Sequence, residues 1–134
     1  METLVKKLNF FSLKKAKRLV RAGQLVAFPT ETVYGLGASV FNEEAIAKIF
    51  VAKGRPQDNP LIAHIADKKD VLLLASSVPP DAKKIIDAFM PGSITVVLPK
   101  KPTVPDRATG GLDTVAIRMP ASKEARRFIA ACGT

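Results

Sequence analysis

Residues 53–64 read Lys-Gly-Arg-Pro-Gln-Asp-Asn-Pro-Leu-Ile-Ala-His, and this stretch joins a helix to a strand. Before it, Ile46, Ile49 and Phe50 recur at helical spacing, Asn42 stands where an N-cap belongs, and Glu43 and Glu44 fill the first turn. Gly54 falls where helices commonly end in the left-handed conformation. Pro56 and Pro60 exclude helix across the gap. Residues 61–65 then read as a short buried strand that carries the single histidine, His64. Lys53 and Arg55 therefore flank a helix stop beside a strand. A forked guanidinium next to a point charge suits a polyphosphate. The same two cations could instead be solvated charges complementing the helix C-terminus. The stretch alone leaves both readings open.

Upstream, Ser12 can cap a helix over 12–22 whose stripe is Leu13, Ala16, Leu19 and Val20. Its lysines and arginines read as a solvated face or as an RNA contact. Gly23 ends that helix, and 24–28 reads as a buried strand. Residues 29–37, Pro-Thr-Glu-Thr-Val-Tyr-Gly-Leu-Gly, follow at the strand end, where open α/β sheets place ligands. Gly35 and Gly37 allow close backbone approach. The spacing matches neither a Walker nor a dinucleotide-binding fingerprint. Thr32 suits a turn as well as a ligand. A second strand is expected over 36–41.

Downstream, Asp67 can cap a short helix reaching Ala75. A helix from Pro80 is expected to bury Ala82, Ile85, Ile86 and Phe89. Pro91-Gly92 breaks it, and 93–98 reads as a strand. Residues 99–113 hold three prolines and two adjacent glycines and read as an ordered or gated loop. The next strand, 114–119, is apolar except for Arg118, a charge that needs either a buried carboxylate or an anionic ligand. Ser122 caps a last helix with Ala125, Phe128, Ile129 and Cys132 on one face.

The 134 residues fit one domain over 1–134, enough to bury roughly two-thirds of the unfolded surface. A net charge of +9 favours an anionic partner such as nucleotide, RNA or a membrane surface, or serves solubility. Cys132 is the single cysteine, so no internal disulfide can form and a reducing, cytoplasmic setting fits. No apolar run approaches the roughly 20 residues of a membrane span. With no Trp and one Tyr, a stacking platform for single-stranded nucleic acid is poorly supported.

Four segments together carry a resemblance: Phe-Pro-Thr-Glu-Thr-Val-Tyr-Gly-Leu-Gly, then Lys-Gly-Arg-Pro with Asn-Pro-Leu and His, then Pro-Gly-Ser-Ile-Thr-Val-Val-Leu, then Val-Ala-Ile-Arg-Met-Pro. In this order and spacing the chain, over 24–134, resembles the YrdC-like family of threonylcarbamoyl-AMP synthases. The resemblance implies an open α/β fold around a twisted mixed sheet with flanking helices. It implies an activity joining L-threonine, bicarbonate and ATP to give threonylcarbamoyl-AMP and pyrophosphate, with Mg²⁺ accompanying the ATP. A downstream threonylcarbamoyl transferase system would then modify certain tRNAs. By the motif matches, Thr32, His64 and Arg118 are the expected L-threonine contacts, and Arg55, Asn59 and Thr114 the expected ATP contacts. Lys53 and Arg55 would neutralise charge at the reacting phosphate; no metal-ligating set is expected. The family continues into a strand with a Ser-X-Asn motif that this sequence does not reach, so a domain missing its C-terminal part, with weak ligand binding and little product, is the expectation. A non-catalytic module binding double-stranded RNA or tRNA through the basic surface is the alternative. A regulatory domain that binds nucleotide or amino acid without turnover is a third reading.

Overall fold

The computed structural model describes residues 2–133. In chain order the elements are α1 (Phe10–Arg21), β1 (Val26–Phe28), β2 (Gly35–Gly37), α2 (Glu43–Lys53), β3 (Ile62–His64), a 3-10 turn (Lys68–Asp70) running into α3 (Val71–Leu74), α4 (Pro80–Phe89), β4 (Thr95–Pro99), α5 (Asp106–Thr109), β5 (Thr114–Arg118) and α6 (Lys123–Cys132). β5 lies between β3, parallel to it, and β4, antiparallel to it, which makes the sheet mixed. β1 and β2 form a separate antiparallel pair.

The boundary signals around α2 act as the sequence indicates. The Asn42 side chain accepts from the Ala45 N–H at 3.0 Å, and Gly54 ends the helix at φ 60°. The first helix starts at Asn9 rather than Ser12. Asn9 Oδ1 accepts from the Ser12 N–H and Ser12 Oγ accepts from the Asn9 N–H, each at 2.9 Å. Ser12 is thus the third helical residue of a reciprocal cap, not the cap itself. The expected strand over 36–41 shortens to Gly35–Gly37.

Alternation along the strands builds the main core. Val115 and Ile117 of β5, Val96 and Leu98 of β4, and Ala63 of β3 are buried together with Phe50, Leu74, Ile86 and Val104. A second core joins α1, α6 and β1 through Val20, Phe28, Ala125, Phe128 and Ile129. α4 departs from expectation. Ile86 is buried, but Ile85 is 38% and Phe89 60% exposed, because the helix meets the sheet along a narrower stripe than its apolar residues span.

The segment 99–113 is ordered, and it contains α5. Lys100 Nζ donates to the Val104 carbonyl at 2.9 Å and pairs with Asp106 at 3.2 Å. Thr109, almost fully buried, donates to the Leu112 carbonyl at 2.8 Å. The Leu61 N–H donates to the Ala108 carbonyl at 3.0 Å, and Gly110 packs against the backbone of Asp58. The segment therefore holds the turn of residues 54–61 in place.

Candidate functional site

The pairing register sorts the motif residues into two groups. β3 and β5 run in the same direction, with His64 level with Arg118 and Ile62 level with Ala116. Arg118 is in turn level with Thr95 on β4. Directly paired residues share a sheet face, so His64, Arg118 and Thr95 form one row across three strands. Thr114 lies on the same face of β5 as Arg118. Four residues of strand at roughly 3.3 Å each separate them by about 13 Å.

Asn59 precedes β3 and belongs to the Thr114 end. The Arg55 guanidinium reaches that end too, donating to the Pro60 carbonyl at 3.2 Å. Arg55, Asn59 and Thr114 thus gather where β3 and β5 begin, while His64 and Arg118 stand where these strands finish. Lys53, Arg55 and His64 line one cavity of about 330 Å³, together with the apolar side chains of Phe28, Leu36, Ile49 and Phe128. Thr32, Asn59, Thr114 and Arg118 are not among the residues lining it.

Thr32 sits in the loop between β1 and β2. Its backbone N–H donates to Thr30 Oγ1 at 3.3 Å, and the two hydroxyls are also 3.3 Å apart. Thr30 Oγ1 donates to the Val33 carbonyl. Between the two threonines, Glu31 reaches across to form an ion pair with Arg118. Of the two partners open to Arg118 on sequence grounds, a carboxylate or a ligand, the fold supplies the carboxylate. Arg118 Nε also donates to the Gly92 carbonyl at 3.2 Å. The sequence offers Glu31 as a carboxylate at the strand end, but sequence reasoning did not join it to Arg118; the fold does. Two signals pointed to the pair: a carboxylate at a strand end, and an arginine inside a strand that required a partner.

Local packing fixes His64. Its ring meets Phe28 edge to face at 6.1 Å, and Phe28 stacks on Phe128 at 4.9 Å. The Phe28 ring lies so close over β2 that a Cβ on Gly37 would sit 2.9 Å from it, which explains the glycine there. His64 Nδ1 is 3.1 Å from the Ile62 carbonyl. A ring carrying its proton on Nδ1 donates there and leaves Nε2 as an acceptor.

Burial lowers the His64 pKa below its ordinary 6.5, and Arg118 acts in the same direction, against the opposing pull of the Ile62 carbonyl and Glu31. His64 is therefore neutral at pH 7. Below about pH 6.5 the unfolded chain takes up a proton that the folded ring resists, so stability is lost as pH falls through that range. The urea midpoint is expected to drop between about pH 7.5 and 5.5, and His64→Gln should flatten that segment of the profile. The Glu31 carboxyl is held low by its own backbone N–H, by Arg118, and by the N–H groups of Ser122 and Ala121, against desolvation. Its contribution is lost only lower, through the carboxylate range. Burial raises the Cys132 thiol to about 11, so it stays protonated.

The sequence profile of the family described as "Telomere recombination", Sua5_yciO_yrdC, matches residues 18–134. Threonylcarbamoyl-AMP synthase from Pyrococcus abyssi is 52% identical over 119 residues, covering 89% of this chain and 35% of the relative. The Bacillus subtilis protein of the same name is 52% identical over 109 residues, covering 81% and 32%. The chain thus spans about a third of the length of these relatives. The crystal structure of P. abyssi Sua5 complexed with L-threonine superimposes with a TM-score of 0.90 at 48% identity, covering 96% of this chain and 38% of that one.

Proposed function

The chain belongs to the Sua5/YciO/YrdC family, and from that premise we propose that it is the part of a threonylcarbamoyl-AMP synthase that binds L-threonine and ATP. The observation that carries this reading is the division of the motif residues between the two ends of the parallel pair β3 and β5. Arg118 would take the threonine carboxylate, with Thr32 and His64 beside its hydroxyl and amine. Arg55, Asn59 and Thr114, gathered where β3 and β5 begin, with Thr114 about 13 Å from Arg118 along the strand, would take the nucleotide. Carboxylation of the threonine amine by bicarbonate gives a carbamate and water. A carbamate oxygen attacks the α-phosphorus, and pyrophosphate leaves.

That step needs alignment and charge neutralisation more than a protein nucleophile. Lys53 and Arg55 at the end of α2 are suited to it. Among the described residues no group of three His, Cys, Asp or Glu side chains could hold a metal ion. Mg²⁺ would arrive with the triphosphate, held by the nucleotide's own oxygens and adding charge to the two cations. Calorimetric titration of the chain with L-threonine and ATP together tests the reading. Mutual strengthening of the two affinities supports it. ATP binding indifferent to threonine would return the chain to a nucleotide-binding regulatory role.

The basic surface favours a second, weaker contact. Lys14, Lys15, Arg18 and Arg21 are exposed on α1, and Lys6 and Lys7 precede it. We propose that tRNA binds here through its phosphates, without base specificity. Its affinity should fall steeply with salt, the slope growing by roughly 0.9 per phosphate neutralised in duplex regions. Filter binding across a salt series measures this, and a flat series excludes it. No helix of the described residues is long and apolar enough to cross a membrane.

A further inference from the structure

The Glu31–Arg118 pair has the form of a recognition device. The arginine spends Nε on the Gly92 carbonyl and one terminal nitrogen on Glu31. Its other terminal nitrogen makes no hydrogen bond among the described residues. Glu31 engages Arg118 through Oε1, and its second oxygen bonds no side chain of the described residues. Both side chains keep part of their surface in solvent, 18% for Arg118 and 25% for Glu31. A cation with donors to spare thus stands beside a carboxylate that no other side chain of the described residues engages.

Two ways of adding a ligand carboxylate can be weighed electrostatically. A simple carboxylate would bring a second negative charge to a half-desolvated neutral pair and would have to displace Glu31 from Arg118. An α-amino acid carries its compensating positive charge two bonds from the carboxylate. It adds no net charge, and it gives Glu31 a new donor while Arg118 takes the carboxylate. The carboxyl also starts from a fixed place. Its loop is tied by Thr30, and the N–H groups of Ala121 and Ser122 at the start of α6 favour its charged form.

We propose that Glu31 and Arg118 together clamp the zwitterion of the amino-acid substrate, Arg118 on the carboxylate and Glu31 on the α-ammonium, with Thr32 and His64 left chiefly to the hydroxyl. This rests on the reading of the site as a threonine site. It assigns Glu31 a direct substrate contact and makes the ammonium group a condition of recognition. The same contact places the amino nitrogen, which becomes the carbamate nitrogen once the ammonium has given a proton to solvent, at a defined point beside the His64–Arg118–Thr95 row.

The test compares L-threonine with 3-hydroxybutanoate, which lacks the amino group, by calorimetry in the presence of ATP, on the wild-type chain and on Glu31→Gln. The variant is close to isosteric, and its fold is checked by circular dichroism and its urea midpoint. The wild type should prefer threonine by about tenfold or more, and Glu31→Gln should lose about that factor for threonine and with it the preference. Threonine binding that is unchanged or tighter in Glu31→Gln would make Glu31 an internal competitor and overturn the clamp alone. A wild-type chain that binds ATP but neither threonine nor 3-hydroxybutanoate overturns the threonine reading, and the clamp with it.

Discussion

Replacing Arg118 with alanine is expected to weaken L-threonine binding by about 1.5–3 kcal/mol, the range for a hydrogen bond to a charged group, since the side chain is only part-buried. The size follows from where the residue sits. Arg118 is the end residue of β5, the central strand, so the register with β3 and β4 fixes its Cα from both sides. The Gly92 carbonyl then fixes the guanidinium. Little conformational freedom remains to be lost on binding. The alanine variant also strands Glu31, whose negative charge would repel an incoming carboxylate. Arg118→Ala combined with Glu31→Gln should therefore recover part of the loss. Calorimetry of the two variants measures both effects. Unchanged threonine affinity in Arg118→Ala would remove this residue from the site.

The second large effect is expected at Gly110. Its φ is +61°, a conformation that costs other residues roughly 1–2 kcal/mol, and a Cβ there would lie 2.5 Å from the Asp58 carbonyl oxygen. Neither atom can yield cheaply, since the oxygen belongs to backbone and the Cβ is fixed rigidly to it. Gly110→Ala is expected to destabilise the chain by about 2–4 kcal/mol. Gly111 supplies the control. Its φ is +82°, but a Cβ there meets nothing within 4 Å. Gly111→Ala should show the conformational cost alone, about 1–2 kcal/mol. Urea denaturation of the two gives the cost of the close approach by difference. Because the displaced backbone belongs to the turn that carries Asn59 and leads to Pro60, the Gly110 variant should also bind ATP more weakly. Equal destabilisation by the two variants would mean that the contact between the loop and the turn carries no energy.

The parts of the fold legible in the sequence are those set by neighbours along the chain. Asn42 and Gly54 bound α2 because capping and left-handed termination are local events. The 114–118 strand shows its two faces because burial alternates with period two. Asn9 was harder to see. Asn9 and Ser12 are both competent caps, and only their reciprocal bonds reveal which one starts the helix. α5 had its own signals, Pro105 before it and Gly110 after it, but they lay among enough other breakers to read as loop. Ile85 and Phe89 mark a different limit. Periodicity shows which face of a helix is apolar and says nothing of how much of that face a neighbour covers. The Glu31–Arg118 contact spans 87 positions of sequence, and no local pattern encodes it. The arginine advertised a need; only the fold named the partner.

The position of β5 has a consequence for how the protein comes into being. β3 and β4 are both made before β5, yet in this sheet neither touches the other; each pairs only with β5. On the ribosome, a nascent chain that has reached residue 113 holds His64 and Thr95 on strands whose edges have no partner in this sheet, and such edges are prone to adventitious pairing. The row of His64, Arg118 and Thr95 cannot assemble piece by piece as the chain emerges. It is completed by the insertion of one five-residue strand, and that strand brings the arginine with it. Substitutions that slow the docking of β5, such as at Ile117 where it seals the core, would lengthen the interval during which both edges stand open, even where the finished protein is little changed.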